Sequence, residues 1–400
     1  MSETSTTRIT TALGVVMIFS WGTTYYLLAI LSAPIQIETG WSATQVALGL
    51  SIGLLTSGLV SRSVGRTIGA RDGRIVLTSG MLLIATGLVA LSLAHWLAMY
   101  WAAWIIIGTG MGAGLYDAAF STLGKLFGVN AKSAITTLTL WGGFASTICW
   151  PILSVLVDMV GWRYACLAFA GLHIVLTAPL CAVVLPCGSP AEPSAETGRQ
   201  DSKLSPLVLS RPFWCILVAS ITLAMLASFW SVHIIVILSA SGYSGPASVG
   251  LAALIGPAQI GARVVEKLAG GRYHPIWTMI FATALVALGF LGLGLGIHAG
   301  AALVAYGAGN GLWSIARATI PLVVFGSSNY PHVMGSIAAP ALIAAALAPS
   351  AGAFLMQALG TGSIASVMII VAAIAVVAAM TLFFDLGSSG GTAEGTHLQI

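Results

Sequence analysis

Stretches of about 20 mostly apolar residues, the length a helix needs to cross the hydrocarbon core of a bilayer, recur along this 400-residue chain with short polar breaks between them. Each such stretch can satisfy its backbone hydrogen bonds internally, so their repetition restricts the chain to a bundle of membrane-spanning helices. Twelve spans are read, at about 11–33, 43–62, 75–94, 97–120, 134–157, 163–185, 212–239, 246–265, 276–297, 300–323, 334–357 and 361–384. Charged residues make up 6% of the chain, against roughly a quarter in a soluble domain. That is too little charge to coat a water-soluble globule. The first stretch, Thr11 to Ala33, is too long for the apolar core of a signal peptide and is expected to remain as span 1.

The formal net charge of +4 is a topology signal rather than a sign of a nucleic-acid partner. With the N-terminus inside, Arg8, Arg62, Arg66, Arg71, Arg74, Lys125, Lys132, Arg199, Lys203, Arg211, Arg263, Lys267 and Arg272 fall at or near cytoplasmic ends, leaving Arg163 outside and Arg317 within a span. The positive-inside rule then predicts a multi-pass protein of the plasma or inner membrane with both termini cytoplasmic. The five cysteines, Cys149, Cys166, Cys181, Cys187 and Cys215, are scattered and odd in number, and are read as small buried hydrophobes.

Prolines, serines and a cluster of charges collect in 186–210, which reads as a cytoplasmic linker between an N-terminal half, 1–185, and a C-terminal half, 211–400. Shifting the sequence by 201 positions lays Arg62 on Arg263, Arg66 on Lys267, Gly69 on Gly270, Arg71 on Arg272, Gly108 on Gly309 and Gly110 on Gly311. A six-plus-six repeat is the economical explanation. Much of the abundant glycine lies inside spans, as in Gly108, Gly110, Gly112 and Gly114, where small residues let helices approach closely. No zinc motif, phosphate-binding loop or nucleophile elbow is present in the sequence, so neither an enzyme, a cofactor nor ATP-driven transport is expected.

These residues resemble the major facilitator superfamily, and within it the monocarboxylate porter and oxalate/formate antiporter branch. The loop Gly65-Arg66-Thr67-Ile68-Gly69-Ala70-Arg71-Asp72-Gly73-Arg74 resembles the superfamily signature Gly-x-x-x-Asp-Arg-x-Gly-Arg, whose charges latch the cytoplasmic gate. Gly69 stands at the usual aspartate position and Asp72 three residues later, so the latch is expected to be weakened or rebuilt around Asp72. Gly161-Trp162-Arg163 is similar to the family's short external turn. The branch resemblance rests on Gly110-x-Gly112-x-Gly114-x-Tyr116 leading to Gly124-Lys125-Leu126-Phe127, on Arg317-Ala318-Thr319-Ile320-Pro321, and on Gln259 four residues before Arg263. It implies an all-α membrane protein of two six-helix bundles related by a pseudo-twofold, with spans 1, 4, 7 and 10 supplying much of a midplane solute cavity.

Ionisable groups inside the spans then become the candidates. Arg317 sits within span 10, where a guanidinium needs water, a counter-ion or the bundle interior. Asn310, Trp313 and Arg317 recur along one helical stripe and suit a small carboxylate. A structural ion pair near the cytoplasmic gate is the competing reading of Arg317. Arg263, with Gln259 one turn before it, is an anion anchor by the branch resemblance and a gate residue by the repeat, and the anchor is favoured. Asp117 is a candidate proton carrier or a fixed partner for Arg317. His233 is a second titratable candidate, with His173 behind it; for a lone histidine in a span a hydrogen-bonded packing role competes. Tyr116, Tyr25 and Tyr26, with Trp21, offer aromatic walls with polar tips, and for those of span 1 anchoring of the helix at the membrane interface is the competing reading. Gly65, Arg66, Arg71, Asp72 and Arg74 form the expected cytoplasmic gate.

The function expected is secondary active transport of a small organic anion by alternating access, as proton symport or anion exchange. Proton-driven efflux of amphipathic drugs or metabolites is the alternative. The partners expected are the anion, protons and membrane lipid, with the chain acting as a monomer.

Overall fold

Glycines in the left-handed region, as at Gly40, Gly161, Gly326 and Gly360, and polar caps such as Ser42, Asp72 and Ser210 mark where many of the apolar helices end. In the computed structural model, which describes residues 3–186, 210–269 and 273–389, every regular element is a helix. Most of the expected linker, together with Cys187, Gly270 and Arg272, lies outside the described residues. Span 1 comprises Glu3–Gly22 and Leu28–Thr39, span 2 is Ala43–Ala70, span 3 is Gly73–Ser92, and span 4 comprises Leu97–Gly114 and Tyr116–Phe127. Span 5 begins at Ala131–Gly143 and continues into Ala145–Leu172, which leaves helical geometry at Gly161 (φ 81°) and there becomes span 6. A π turn, His173–Thr177, carries span 6 on to Ala178–Val184. Span 7 is Arg211–Ala240, span 8 comprises Gly245–Ala252 and Ile255–Leu268, and span 9 is Pro275–Gly294. Ala299–Leu359 holds spans 10 and 11, divided by Gly326 (φ 74°), and Thr361–Ser389 is span 12.

Spans 1, 4, 5 and 8, each expected to be continuous, are broken into two helices, and the breaks in spans 1 and 4 bear on the site. In span 1 the hydroxyls of Thr23 and Thr24 donate to the Phe19 and Ser20 carbonyls (2.8 and 2.5 Å). The ladder widens there, with the Tyr26 amide reaching the Trp21 carbonyl at 3.1 Å. Side chains that compete for backbone acceptors favour such interruptions. In span 4 the helix stops at Gly114 and restarts at Tyr116, with Leu115 extended between them (φ −90°, ψ −166°).

The chain divides into two packed units, Met1–Thr197 with Ser327–Ala346, and Gly198–Gly326 with Leu347–Ile400. Each buries large side chains at its centre, Tyr100, Trp104 and Phe120 in the first and Trp230 and Phe290 in the second. Exposed apolar side chains such as Met159, Val175, Val183, Phe354 and Phe384 form the surface that a bilayer covers.

The packing inside the two units repeats. A Cβ on Gly110 would stand 2.8 Å from the Ile84 amide nitrogen, and one on Gly309 would stand 2.7 Å from that of Val286. Gly112 lies against Ser57 as Gly311 lies against Gln259, and Gly108 against Gly53 as Gly307 against Ile255. Gly87 approaches Ile107 as Gly289 approaches Tyr306. The internal repeat is therefore visible in the contacts, but in a different register from the uniform shift of 201. Spans 2 and 3 correspond to 8 and 9 at a shift of 202, and span 4 to span 10 at 199. The second half is three residues shorter between these spans, and a single-offset comparison averages over that difference. In this register Arg263 corresponds to Ser61, not to Arg62.

Candidate functional site

Aromatic side chains expected from the sequence come together in the first unit. The break in span 1 carries Trp21, Tyr25 and Tyr26, whose rings lie 5.4 Å (Trp21–Tyr25) and 6.1 Å (Trp21–Tyr26) apart. Trp21 also meets Tyr116 of span 4 at 5.1 Å, and Tyr116 stacks on Phe120 at 4.9 Å. Trp150 of span 5 closes the row, 6.0 Å from Tyr26, and donates its indole N–H to the Tyr26 carbonyl at 3.1 Å. The Tyr116 hydroxyl donates to the Thr139 carbonyl at 3.3 Å. The breaks in spans 1 and 4 thus lie beside one another and carry the same aromatic row. The Trp21 indole nitrogen is buried and has no hydrogen-bond partner among the described residues. A buried donor of this kind costs about 1–3 kcal/mol unless something accepts its proton.

Asp117, one residue past Tyr116, lies in a crevice shared with Ser61 and Gly65 of span 2, Gly112 and Ser121 of span 4, and Gly335 of span 11. All of these belong to the first unit. It is half-buried.

The signature loop lies at one end of the same unit. Gly65 packs against the Pro331 carbonyl, and Gly335 against the Ser61 carbonyl, where a Cβ would come within 2.5 Å. A Cβ on Gly69 would stand 2.5 Å from Nε2 of His332, so the imidazole covers the position that the signature gives to aspartate. Asp72 caps span 3, its carboxylate accepting the Arg74 amide at 2.9 Å, while Arg66 and Arg71 are exposed. Lys125 donates to the carbonyls of Ile68, Gly69 and Arg71 at 2.9, 2.9 and 2.7 Å. Its ammonium closes off the C-terminal carbonyls of span 2, where a cation is favoured by the helix dipole. Neither Lys125 nor His332 belongs to the gate expected from the sequence. Their partners lie in a loop distant in the chain, and the only local signal was the Gly124-Lys125-Leu126-Phe127 run.

The opposite end of the first unit is tied by Glu38. It accepts the Trp162 indole N–H at 2.6 Å and pairs with Arg163 at 2.7 Å, and Arg163 donates onward to the Ser92 carbonyl at 2.6 Å. The Arg163 guanidinium also lies over the Trp162 ring, 4.3 Å from its centroid. The Gly161-Trp162-Arg163 turn is therefore fastened to the ends of spans 1 and 3.

The second unit holds the remaining candidates. Arg263 is only 7% exposed, and its Nε donates to the Gly311 carbonyl at 3.4 Å. The Ser314 hydroxyl donates to that same carbonyl at 2.6 Å. Gly311 lets span 8 approach so closely that a Cβ there would meet the Gln259 carbonyl at 2.5 Å. Arg263 and Gln259 therefore flank the stretch of span 10 that carries Asn310 and Trp313. Trp313 is buried, while Asn310 and Arg317 are half-buried on the same helix. His233 holds the Pro349 carbonyl through Nε2 at 2.9 Å, which makes that nitrogen the protonated one, and its ring lies 4.9 Å from Phe229. A second aromatic cluster, Trp230, Phe290 and Tyr306, has ring separations of 5.4, 6.0 and 5.2 Å. Cys149, Cys166 and Cys181 are buried free thiols and Cys215 is half-buried.

The sequence profile described as Major Facilitator Superfamily matches residues 13–327. No match was found among curated protein sequences. Among solved structures, the E. coli fucose:proton symporter FucP is similar at a TM-score of 0.73 and 15% identity, over 93% of this chain and 98% of that one. The human organic anion transporter MFSD10 is similar at a TM-score of 0.74 and 14% identity, over 96% and 100%. The proton:xylose symporter XylE, bound to 6-bromo-6-deoxy-D-glucose, is similar at 0.70 and 12% identity, over 96% of each chain. At these identities the likeness is one of fold.

Proposed function

The chain belongs to the Major Facilitator Superfamily, and from that premise we propose that it carries a small organic anion across the membrane by alternating access, as a proton symporter or an anion exchanger. It is a multi-pass secondary transporter with a small-molecule substrate, not an enzyme. The observation that carries the anionic substrate is Arg263, a guanidinium 7% exposed inside a membrane span. A buried cation within a span is costly and is read by default as part of a substrate or ion path. Asn310, Trp313 and Arg317 continue along span 10 from the Arg263 contact at Gly311. An amide, an indole N–H and guanidinium forks together match the oxygens of a carboxylate.

The aromatic row in the first unit supports a substrate with an apolar or ring-bearing body. Trp21, Tyr25, Tyr26 and Tyr116 supply faces for it, and the Trp21 N–H supplies a donor to an oxygen. Asp117 and His233 are the proposed proton-handling groups. Gly65, Arg66, Arg71, Asp72 and Arg74 form the proposed cytoplasmic gate, with Lys125 and His332 added. Both termini are assigned to the cytoplasm by the distribution of positive charge, the division into halves at 186–210 is proposed together with that topology, and the carrier is taken as a monomer in lipid. The human neighbour MFSD10 is an organic anion transporter, which agrees with this reading, whereas FucP and XylE are symporters of sugars.

The test is the thermal stability of purified protein against a panel of small aliphatic and aromatic carboxylates, inorganic anions, monosaccharides and cationic drugs. A ligand that binds the folded state raises stability by mass action, about 2.7 kcal/mol at a hundred times its Kd. Stabilisation by one carboxylate that is lost in Arg263→Gln and Arg317→Gln proteins is expected. Stabilisation by cationic drugs alone, insensitive to both substitutions, would replace this reading with efflux of amphipathic compounds, which the aromatic row also favours.

A further inference from the structure

The break in span 1 that presents the aromatic row has few backbone bonds of its own. Between Trp21 and Leu31 the ladder is reduced to irregular contacts, including Tyr26 to Trp21 at 3.1 Å, Leu27 to Thr24 at 3.2 Å and Ala29 to Tyr26 at 3.3 Å. Something outside the span must therefore decide where this turn sits. Behind it, on span 6, His173 is completely buried and opens the π turn His173–Thr177. Its Nε2 lies 2.8 Å from the Thr23 hydroxyl, and its Nδ1 lies 2.8 Å from the Thr177 hydroxyl.

Each threonine has one hydroxyl hydrogen, which leaves two arrangements around a neutral ring. The one that keeps the shorter backbone bond, Thr23 to Phe19 at 2.8 Å rather than Thr177 to the His173 carbonyl at 3.2 Å, is preferred. There the Thr23 hydroxyl donates to the Phe19 carbonyl, so toward His173 it accepts. Nε2 must then carry a proton. In a neutral ring Nδ1 is the acceptor, and Thr177 supplies the hydrogen in preference to its longer contact with the His173 carbonyl at 3.2 Å. The result is a chain of donors running one way, from Thr177 through the imidazole to Thr23 and on to the Phe19 carbonyl. Bonds aligned in this way reinforce one another in a low-dielectric interior. π turns also recur at functional positions in helices.

We propose that His173, held as the neutral Nε2–H tautomer, is a positioning residue that acts through Thr23 to set the substrate-facing turn carrying Trp21, Tyr25 and Tyr26. The proposal rests on the reading that this aromatic row faces the substrate. Replacing His173 leaves both threonine hydroxyls with carbonyl acceptors, Phe19 for Thr23 and His173's own for Thr177. The fold therefore keeps its polar groups satisfied while the tie across the two spans is lost.

The experiment uses the full-length purified protein and needs no substrate. Backbone hydrogen exchange is followed over residues 24–28 in His173→Gln, His173→Asn and Thr23→Val proteins. Glutamine carries an amide N–H out to the reach of Nε2, whereas asparagine reaches only the Nδ1 position. His173→Asn and Thr23→Val are each expected to speed exchange about fivefold to tenfold, the factor that one lost hydrogen bond gives. The double variant should add nothing further, and His173→Gln should stay near the unsubstituted rate. Equal effects of Gln and Asn, with none from Thr23→Val, would mean that His173 only fills space and would overturn the proposal. Nitrogen-15 NMR of histidine-labelled protein gives a second readout, with the His173 signal identified by its loss in His173→Gln. A pyrrole-like Nε2 with a pyridine-like Nδ1 is expected; the opposite tautomer or an imidazolium would overturn the assignment. If both readouts hold while Trp21→Leu leaves carboxylate stabilisation unchanged, the pin stands and only the substrate-facing reading of the row fails.

Discussion

At the scale of single residues, the chain uses few charges, and most of those inside the spans already have geometric work in the structure. Arg263 combines a bond to the Gly311 carbonyl with deep burial beside Gln259. Arg263→Lys is therefore expected to fail where a fork of donors is needed, abolishing carboxylate stabilisation while the protein stays folded; retention of the stabilisation would argue for a simple point charge. Trp21→Phe keeps the ring and removes the indole donor. A loss of affinity of about fivefold to tenfold for the stabilising carboxylate, the factor of one hydrogen bond, is expected from titration. An unchanged Kd would mean that the Trp21 N–H does not reach the substrate. For Asp117, transport by Asp117→Asn reconstituted in vesicles should lose its dependence on external pH. Full activity with an unchanged pH profile would remove Asp117 from proton handling.

At the scale of elements, glycine decides which helices touch. Span 2 and the segment 327–346 meet through Gly65, Gly69 and Gly335, each facing a backbone carbonyl or a ring where a Cβ would collide. Gly335→Val should therefore cost about 1–3 kcal/mol by overpacking, read as a lowered Tm. If the segment moves during transport, flux should fall further than stability alone accounts for. Lys125→Met removes three bonds from the carbonyl end of span 2. A loss of about 1 kcal/mol is expected from the charge and dipole together, and an unchanged Tm would show that water replaces the ammonium without cost. The signature loop was legible in the sequence, and so was the absence of its aspartate. That an imidazole from span 11 covers Gly69 was not, because no pattern within 65–74 refers to a residue so far along the chain.

At the scale of the whole molecule, an exposed apolar surface and 6% charge fix the bilayer as the solvent. The proposed orientation predicts that reporter fusions at both ends of the chain respond as cytoplasmic; an external response at either end would contradict the positive-inside assignment. The repeat is also a whole-molecule property. Its contacts recur pair by pair, Gly110 with Ile84 as Gly309 with Val286, and Gly87 with Ile107 as Gly289 with Tyr306. This correspondence moves Arg263 from beside Arg62 to beside Ser61, a buried position facing the crevice of Asp117 in the first unit. The shift supports an inward place for Arg263 over a place among the gate arginines.

The sequence by itself determined that the chain is all-helical, crosses a membrane twelve times, repeats internally and belongs among secondary transporters. Those properties follow from the length and spacing of apolar stretches, which act locally and additively along the chain. It also marked most of the chemically capable side chains, because a charge or an aromatic in an apolar span stands out wherever it points. Only the tertiary structure decided the breaks at 23–27 and at Leu115, the register that pairs Arg263 with Ser61, and what Lys125, His332 and His173 touch. Each of these depends on which helix faces lie against one another. In a chain whose spans are apolar nearly all round, a helix face leaves little trace in periodicity, so contacts between distant small and polar residues carry that information instead.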